Sequence, residues 1–156
     1  MKKKTQEEIK MEAAAHQVPI PLSEAKKDFS RLYKQAEAGK EVITTIKNSG
    51  LSNVSLVNSD ILAVVLDGLI IPIEETPDER LGGVTIAIPY LPMYGEGETR
   101  EQAVESLIDA VIEFREAYTE NLELYKRSES AFNQAIMLKL LRCGNDREAI
   151  RAALKV

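Results

Sequence analysis

"LGGVTIAIPYLPMYGEGETREQAVESLIDAVIEF", residues 81–114, alternates, turns, and then changes its period. "VTIAI" puts apolar residues at every second position, the pattern of a half-buried strand, and the prolines of "PYLP" end it. "MYGEGE" follows as a short strand or turn. Thr99 then stands where a helix N-cap belongs, and "TREQ" fits a capping box in which Gln102 reaches back to Thr99. Ala103, Leu107, Ala110, Val111 and Phe114 continue at helical spacing, which predicts a helix running to about Tyr125. Upstream, "LIIPIEE" reads as a further strand and "TPDERLGG" as a loop with a glycine-glycine turn. Three strands followed by a helix predict a small sheet with one helix packed on a face, an α+β fold.

Toward the N-terminus the theme recurs on a smaller scale. "VPIPL" (18–22) is short and extended, and its prolines exclude a central strand unless they start one. In "SEAKKDFSRLYKQAEAG" (23–39), Ser23 is the expected N-cap. Ala25, Phe29, Leu32, Tyr33 and Ala36 line one helix face, and Gly39 supplies the stop. Lys27, Arg31 and Lys34 recur at i, i+4 and i+7 on the other face, with Lys26 beside them. "EVITTI" (41–46) and "VSLV" (54–57) are strands joined by the turn "KNSGLSN", and Asn58 or Ser59 caps a short helix, "DILAVVLDG". A segment of about 50 residues buries little surface alone. It is therefore expected to pair with a second copy, most simply as a homodimer.

Toward the C-terminus, "SESAFNQAIMLKLLRCG" and "NDREAIRAAL" form a helical hairpin, the second helix beginning on an Asn cap. Ile136, Leu140 and Leu141, with Ile150 and Leu154, make apolar stripes that need a partner surface. They are assigned as a protein-binding site. The expected organisation is thus a flexible or frayed helical arm (1–17), a first unit (18–68), a second (69–127) and a helical tail (128–156).

The 156 residues carry a net charge of −5, unevenly spread. Residues 1–60 hold 10 Lys/Arg against 8 Asp/Glu, and residues 61–156 hold 10 against 17. A slightly basic head on an acidic body points to two surfaces with different partners. The one cysteine, Cys143, excludes an internal disulfide and a cysteine-rich zinc site. No apolar run reaches the ~18 residues that span a bilayer, and the N-terminal lysines lead into no signal-peptide core. A cytoplasmic protein with no membrane partner is expected.

Catalytic chemistry is hard to assemble. His16, the only histidine, lies in the N-terminal arm without ligands at metal spacing, and no serine has a histidine partner in the ordered part of the chain. Glu96, Glu98, Glu101 and Glu105 read as helix-dipole partners and a solvated face rather than as acid/base groups. "GEG" (95–97) and "GG" (82–83) lack the lysine of a phosphate loop and read as turn glycines. No enzyme activity and no cofactor are expected. The basic helix face remains. Lys26, Lys27, Arg31 and Lys34, with Lys47 and Asn48 in the following turn, can track a phosphate backbone, and a two-fold dimer would double the patch.

These residues also carry a resemblance. "PLSEAKKDFSRLYKQAEAGKEVIT" resembles the N-terminal motif of the prevent-host-death/YefM antitoxins, through Ala25, Phe29, Ser30, Leu32, Ala36, Ala38, Gly39, Glu41 and Val42. Lys26 stands where that family has arginine, which keeps the charge but removes bidentate guanine recognition. The turn "IKNSGLSN" is longer than the family's arginine-glycine turn. The stretch quoted first resembles the HicB-like antitoxin domain, through Pro89, Leu91, Pro92, Gly97, Thr99, Glu101, Ala103 and Leu107.

The resemblance implies an antitoxin that dimerises and binds operator DNA through its first unit. The remainder would silence a toxin, in most such systems a messenger-RNA nuclease, by covering a basic cleft with an acidic surface. The alternative is a dimeric interaction module of the same fold that has lost DNA binding.

Overall fold

The structure, a computed structural model, describes residues 18–46, 53–78 and 82–156. The N-terminal arm with His16 and the turn bearing Lys47 and Asn48 lie outside the described residues. The chain forms two compact units, residues 1–64 and 65–156.

In the first unit, β1 (Ile20–Pro21) pairs parallel with β2 (Val42–Thr45), which pairs antiparallel with β3 (Val54–Leu56) in the order β1-β2-β3. Proline is tolerated in β1 because β1 is an edge strand. Pro21 leads directly into α1 (Leu22–Lys27), so Ser23 lies inside the helix and is not its cap. The single helix expected here is two. Asp28, at φ −125° and ψ 29°, breaks it, and α2 (Phe29–Glu37) starts anew. Ala25, Leu32, Ala36 and Val42 form the core, whereas Phe29 and Tyr33, expected inside, are 56% and 53% exposed. Asn58, not Ser59, caps α3 (Ser59–Asp67), its Oδ1 accepting from the Asp60 N–H at 2.8 Å.

In the second unit, β4 (Glu74–Asp78), β5 (Gly83–Ile88) and β6 (Met93–Gly97) form an antiparallel sheet in chain order. The first strand lies later than its apolar run implies. Leu69, Ile71 and Ile73 spend their side chains on the core, while the polar "EETPD" makes the ladder to β5. One face of β5 and β6, bearing Ile86, Ile88 and Met93, packs against Ala103, Val104, Leu107, Ile108 and Val111 of α4 (Arg100–Glu120). The capping box forms as expected between Thr99 and Gln102. The helix stops at Asn121, and α5 (Leu122–Ser128) follows.

Gly95 and Gly97 are strand residues pressed under α4, not turn residues. A Cβ at Gly95 would run into the backbone of Ala103 and Leu107, and one at Gly97 into Gln102. That contact is what lets helix and sheet meet so closely.

The tail belongs to this core. Ile136 and Leu140 of α6 (Ala131–Arg142) and Ile150 of α7 (Arg147–Leu154) are 0% exposed, Leu154 is 2% exposed, and Leu141 is half-buried beside them. The partner surface these stripes require is the chain's own second unit, so their assignment as a site for another protein is corrected. Asp146, not Asn145, caps α7, accepting from Glu148 and Ala149. Arg115 of α4 donates to the carbonyls of Leu141 and Gly144 and to Asn145 Oδ1, fixing the turn between the last two helices. Lys139, 7% exposed, donates through Nζ to Leu69 O at 2.7 Å and Asp67 O at 3.5 Å.

Candidate functional site

The cationic face is built on α1, α2 and the break between them. Lys26, Lys27, Arg31 and Lys34 are all exposed. Lys26 and Lys27 occupy the last turn of α1 and Lys34 that of α2, where a cation favours the helix dipole. Arg31 is engaged by Asp28 in an exposed ion pair one turn away. Lys26, Lys27 and Lys34 make no ion pair among the described residues. The stripe read as continuous is therefore divided by the break, Lys27 on one helix and Arg31 with Lys34 on the next.

Beside this face lies an apolar groove of about 270 Å³ between the helices and the sheet. Leu22, Ala25, Phe29 and Leu32 line one side, and Val42, Thr44, Val54 and Leu56 the other, with Lys26 at its margin. Phe29 and Val54 remain 56% and 66% exposed. Spacing alone did not show this groove, because it depends on how little of the α2 face the three short strands cover.

In the second unit the acidic residues of α4 divide into two groups. Glu101, Glu105 and Asp109 of α4 face Arg147 and Arg151 of α7. Glu105 pairs with both arginines, Asp109 with Arg147, and Glu101 with Arg151 at 2.9 Å. The hydrogen bond from Arg147 holds the Glu105 carboxyl below its ordinary range against the opposing effect of burial. The hydrogen bond to Asp109 in turn raises the Arg147 guanidinium. Glu113, Glu116 and Glu120 continue the exposed side of α4 and make no ion pair among the described residues.

Burial pushes the Cys143 thiol up, and its Sγ points at the carbonyls of Lys139 and Ala149. That environment disfavours the nucleophilic thiolate. Among the described residues, no group of three or more His, Cys, Asp or Glu converges as a metal site, and no helix is long and apolar enough to cross a membrane.

A family model described as PHD-like, "Antitoxin of toxin-antitoxin, RelE / RelB, TA system", matches residues 17–154. The chain belongs to this family of antitoxins of toxin–antitoxin systems. The fold is shared with a solved structure from Syntrophomonas wolfei subsp. wolfei, described as an antitoxin part of a proposed toxin/antitoxin system. The two agree with a TM-score of 0.63 at 15% sequence identity, over 88% of this chain and 96% of that one. No curated protein gives a significant match to the chain.

Proposed function

We propose that this antitoxin neutralises a partner toxin by occlusion and represses its own operon by binding operator DNA, without chemistry or cofactor, in the cytoplasm. The first unit acts in the manner of the prevent-host-death/YefM proteins. Two copies close the apolar groove over Phe29 and Val54, and the paired faces of Lys26, Lys27, Arg31 and Lys34 contact phosphates. The second unit acts in the manner of HicB-like domains and covers a basic toxin, in keeping with its 17 Asp/Glu against 10 Lys/Arg. The observation that carries the DNA reading is that three of the four cations are exposed and, among the described residues, uncommitted to any carboxylate. Lysines and an arginine that contact phosphates give binding that weakens linearly in log salt.

The test is a gel-shift titration on the region upstream of the gene at increasing salt. Wild type should bind with a steep salt dependence. The triple variant Lys27→Glu, Arg31→Glu, Lys34→Glu should lose the complex while remaining folded by circular dichroism. Binding that ignores salt overturns the phosphate-contact assignment. A second reading is favoured by the Arg31–Asp28 pair, which removes the only arginine from the face. It holds that the unit has kept its fold and dimerises without DNA, in which case wild type and the triple variant are alike in failing to shift the probe.

A further inference from the structure

We propose that the turn between β5 and β6 is the toxin-binding anchor, with Tyr90 and the Glu129 carboxylate forming a receptor for an arginine or lysine side chain of that partner. The inference rests on the toxin-neutralising reading above and assigns it to particular residues.

Tyr90 has φ 67°, in the left-handed region that tyrosine rarely adopts, and its side chain is 87% exposed. The turn needs that backbone conformation, because Leu91 N–H bonds back to Ile88 O and Met93 N–H to Leu91 O. Glycine or asparagine would meet the need more readily. The exposed ring adds nothing to the core, so the tyrosine burdens the fold without supporting it. Strain of this kind collects at binding sites.

The surroundings support this. Asn133 is 7% exposed, and its Nδ2 donates both to Tyr90 O at 3.3 Å and to a Glu129 carboxylate oxygen at 2.7 Å. One buried amide therefore fixes the strained carbonyl and a carboxylate at the same place. An exposed tyrosine and a carboxylate tied to the same buried amide are the chemistry that attracts a guanidinium or ammonium group. The surplus of Asp and Glu in this unit favours a basic protein as its bearer. Rigid, exposed tyrosines are also frequent energetic centres of interfaces.

The experiment co-expresses the full chain with the toxin encoded beside its gene and measures the dissociation constant of the purified pair. In Tyr90→Gly the backbone is relieved, so the melting temperature should hold or rise while the complex weakens by about tenfold or more. Tyr90→Phe, which keeps the ring, should stay within about threefold of wild type, since the ring face is what attracts a cation. Glu129→Gln should weaken the complex and flatten its dependence on salt. Wild type that binds tightly while Tyr90→Gly binds equally well overturns this inference and leaves the toxin-neutralising reading standing. Wild type that fails to bind the toxin overturns both.

Discussion

Gly95 shows how one residue's meaning depends on what lies above it. In the sequence it sits between Tyr94 and Glu96 and has the look of a turn. In the structure it is a strand position over which α4 passes so closely that the backbone of Ala103 and Leu107 fills the space of a side chain. Gly95→Ala should therefore destabilise the second unit by about 1–3 kcal/mol or more, the cost of overpacking against backbone that cannot rotate away. Thermal or urea unfolding measures it. An alanine variant as stable as wild type would show that α4 moves off the sheet at little cost. Helical periodicity identifies which residues of α4 face inward, but carries no information on how near the helix comes. Phe29 and Tyr33 fail for a related reason. They share α2 with the buried Leu32 and Ala36 but lie to one side of that pair, and spacing does not tell how far a small sheet reaches across the helix face.

Local signals were the legible ones among the elements. The Thr99–Gln102 box is closed within four residues, and the pattern identified it without any knowledge of the fold. Strand β4 was placed too early because the apolar run 69–73 looks more strand-like than "EETPD". Its residues pack as an irregular lead-in while the polar segment takes the hydrogen bonds.

The ladder between α4 and α7 was invisible, since Glu105 and Arg147 are far apart in the chain and meet only once both helices dock. It gives the α7 contact a pH dependence of definite sign. The carboxyl of Glu105 is lowered from its ordinary value of 4.5. Its contribution is therefore fully present above that value and is lost as the pH falls through the lower folded one. Glu105→Gln should melt below wild type at neutral pH, with the gap closing in acid and shrinking in high salt, because these groups are exposed enough to be screened. A gap that is constant across pH would mean that the substitution acts through packing.

For the molecule as a whole, the two units are unequal. Among the described residues the first has only Ala25, Leu32, Ala36 and Val42 as buried apolar residues, whereas the second has a core drawn from β5, β6 and the helices α4 to α7. A core that small needs further cover, and the proposed homodimer supplies it through the groove beside Phe29. Phe29→Asp should then convert a dimer to a monomer in sedimentation and lower the melting temperature of the first unit. A wild-type chain that sediments as a monomer would remove the dimer and the doubled cationic face together. The charge asymmetry of the chain was readable at once, as was the α+β class. The role of the tail was not, because an apolar stripe shows that a helix must be covered without naming the cover.

The burial of Ile150 and Leu154 has a consequence for how the protein is made. The second unit lacks part of its interior until α7 has been synthesised, so during translation the sheet and α4 wait, incompletely shielded, for residues far downstream. A ribosome that stalls after Gly144 leaves Ile136 and Leu140 open to solvent. A chain shortened before Arg147 should therefore be cleaved by proteases faster than one that carries α7.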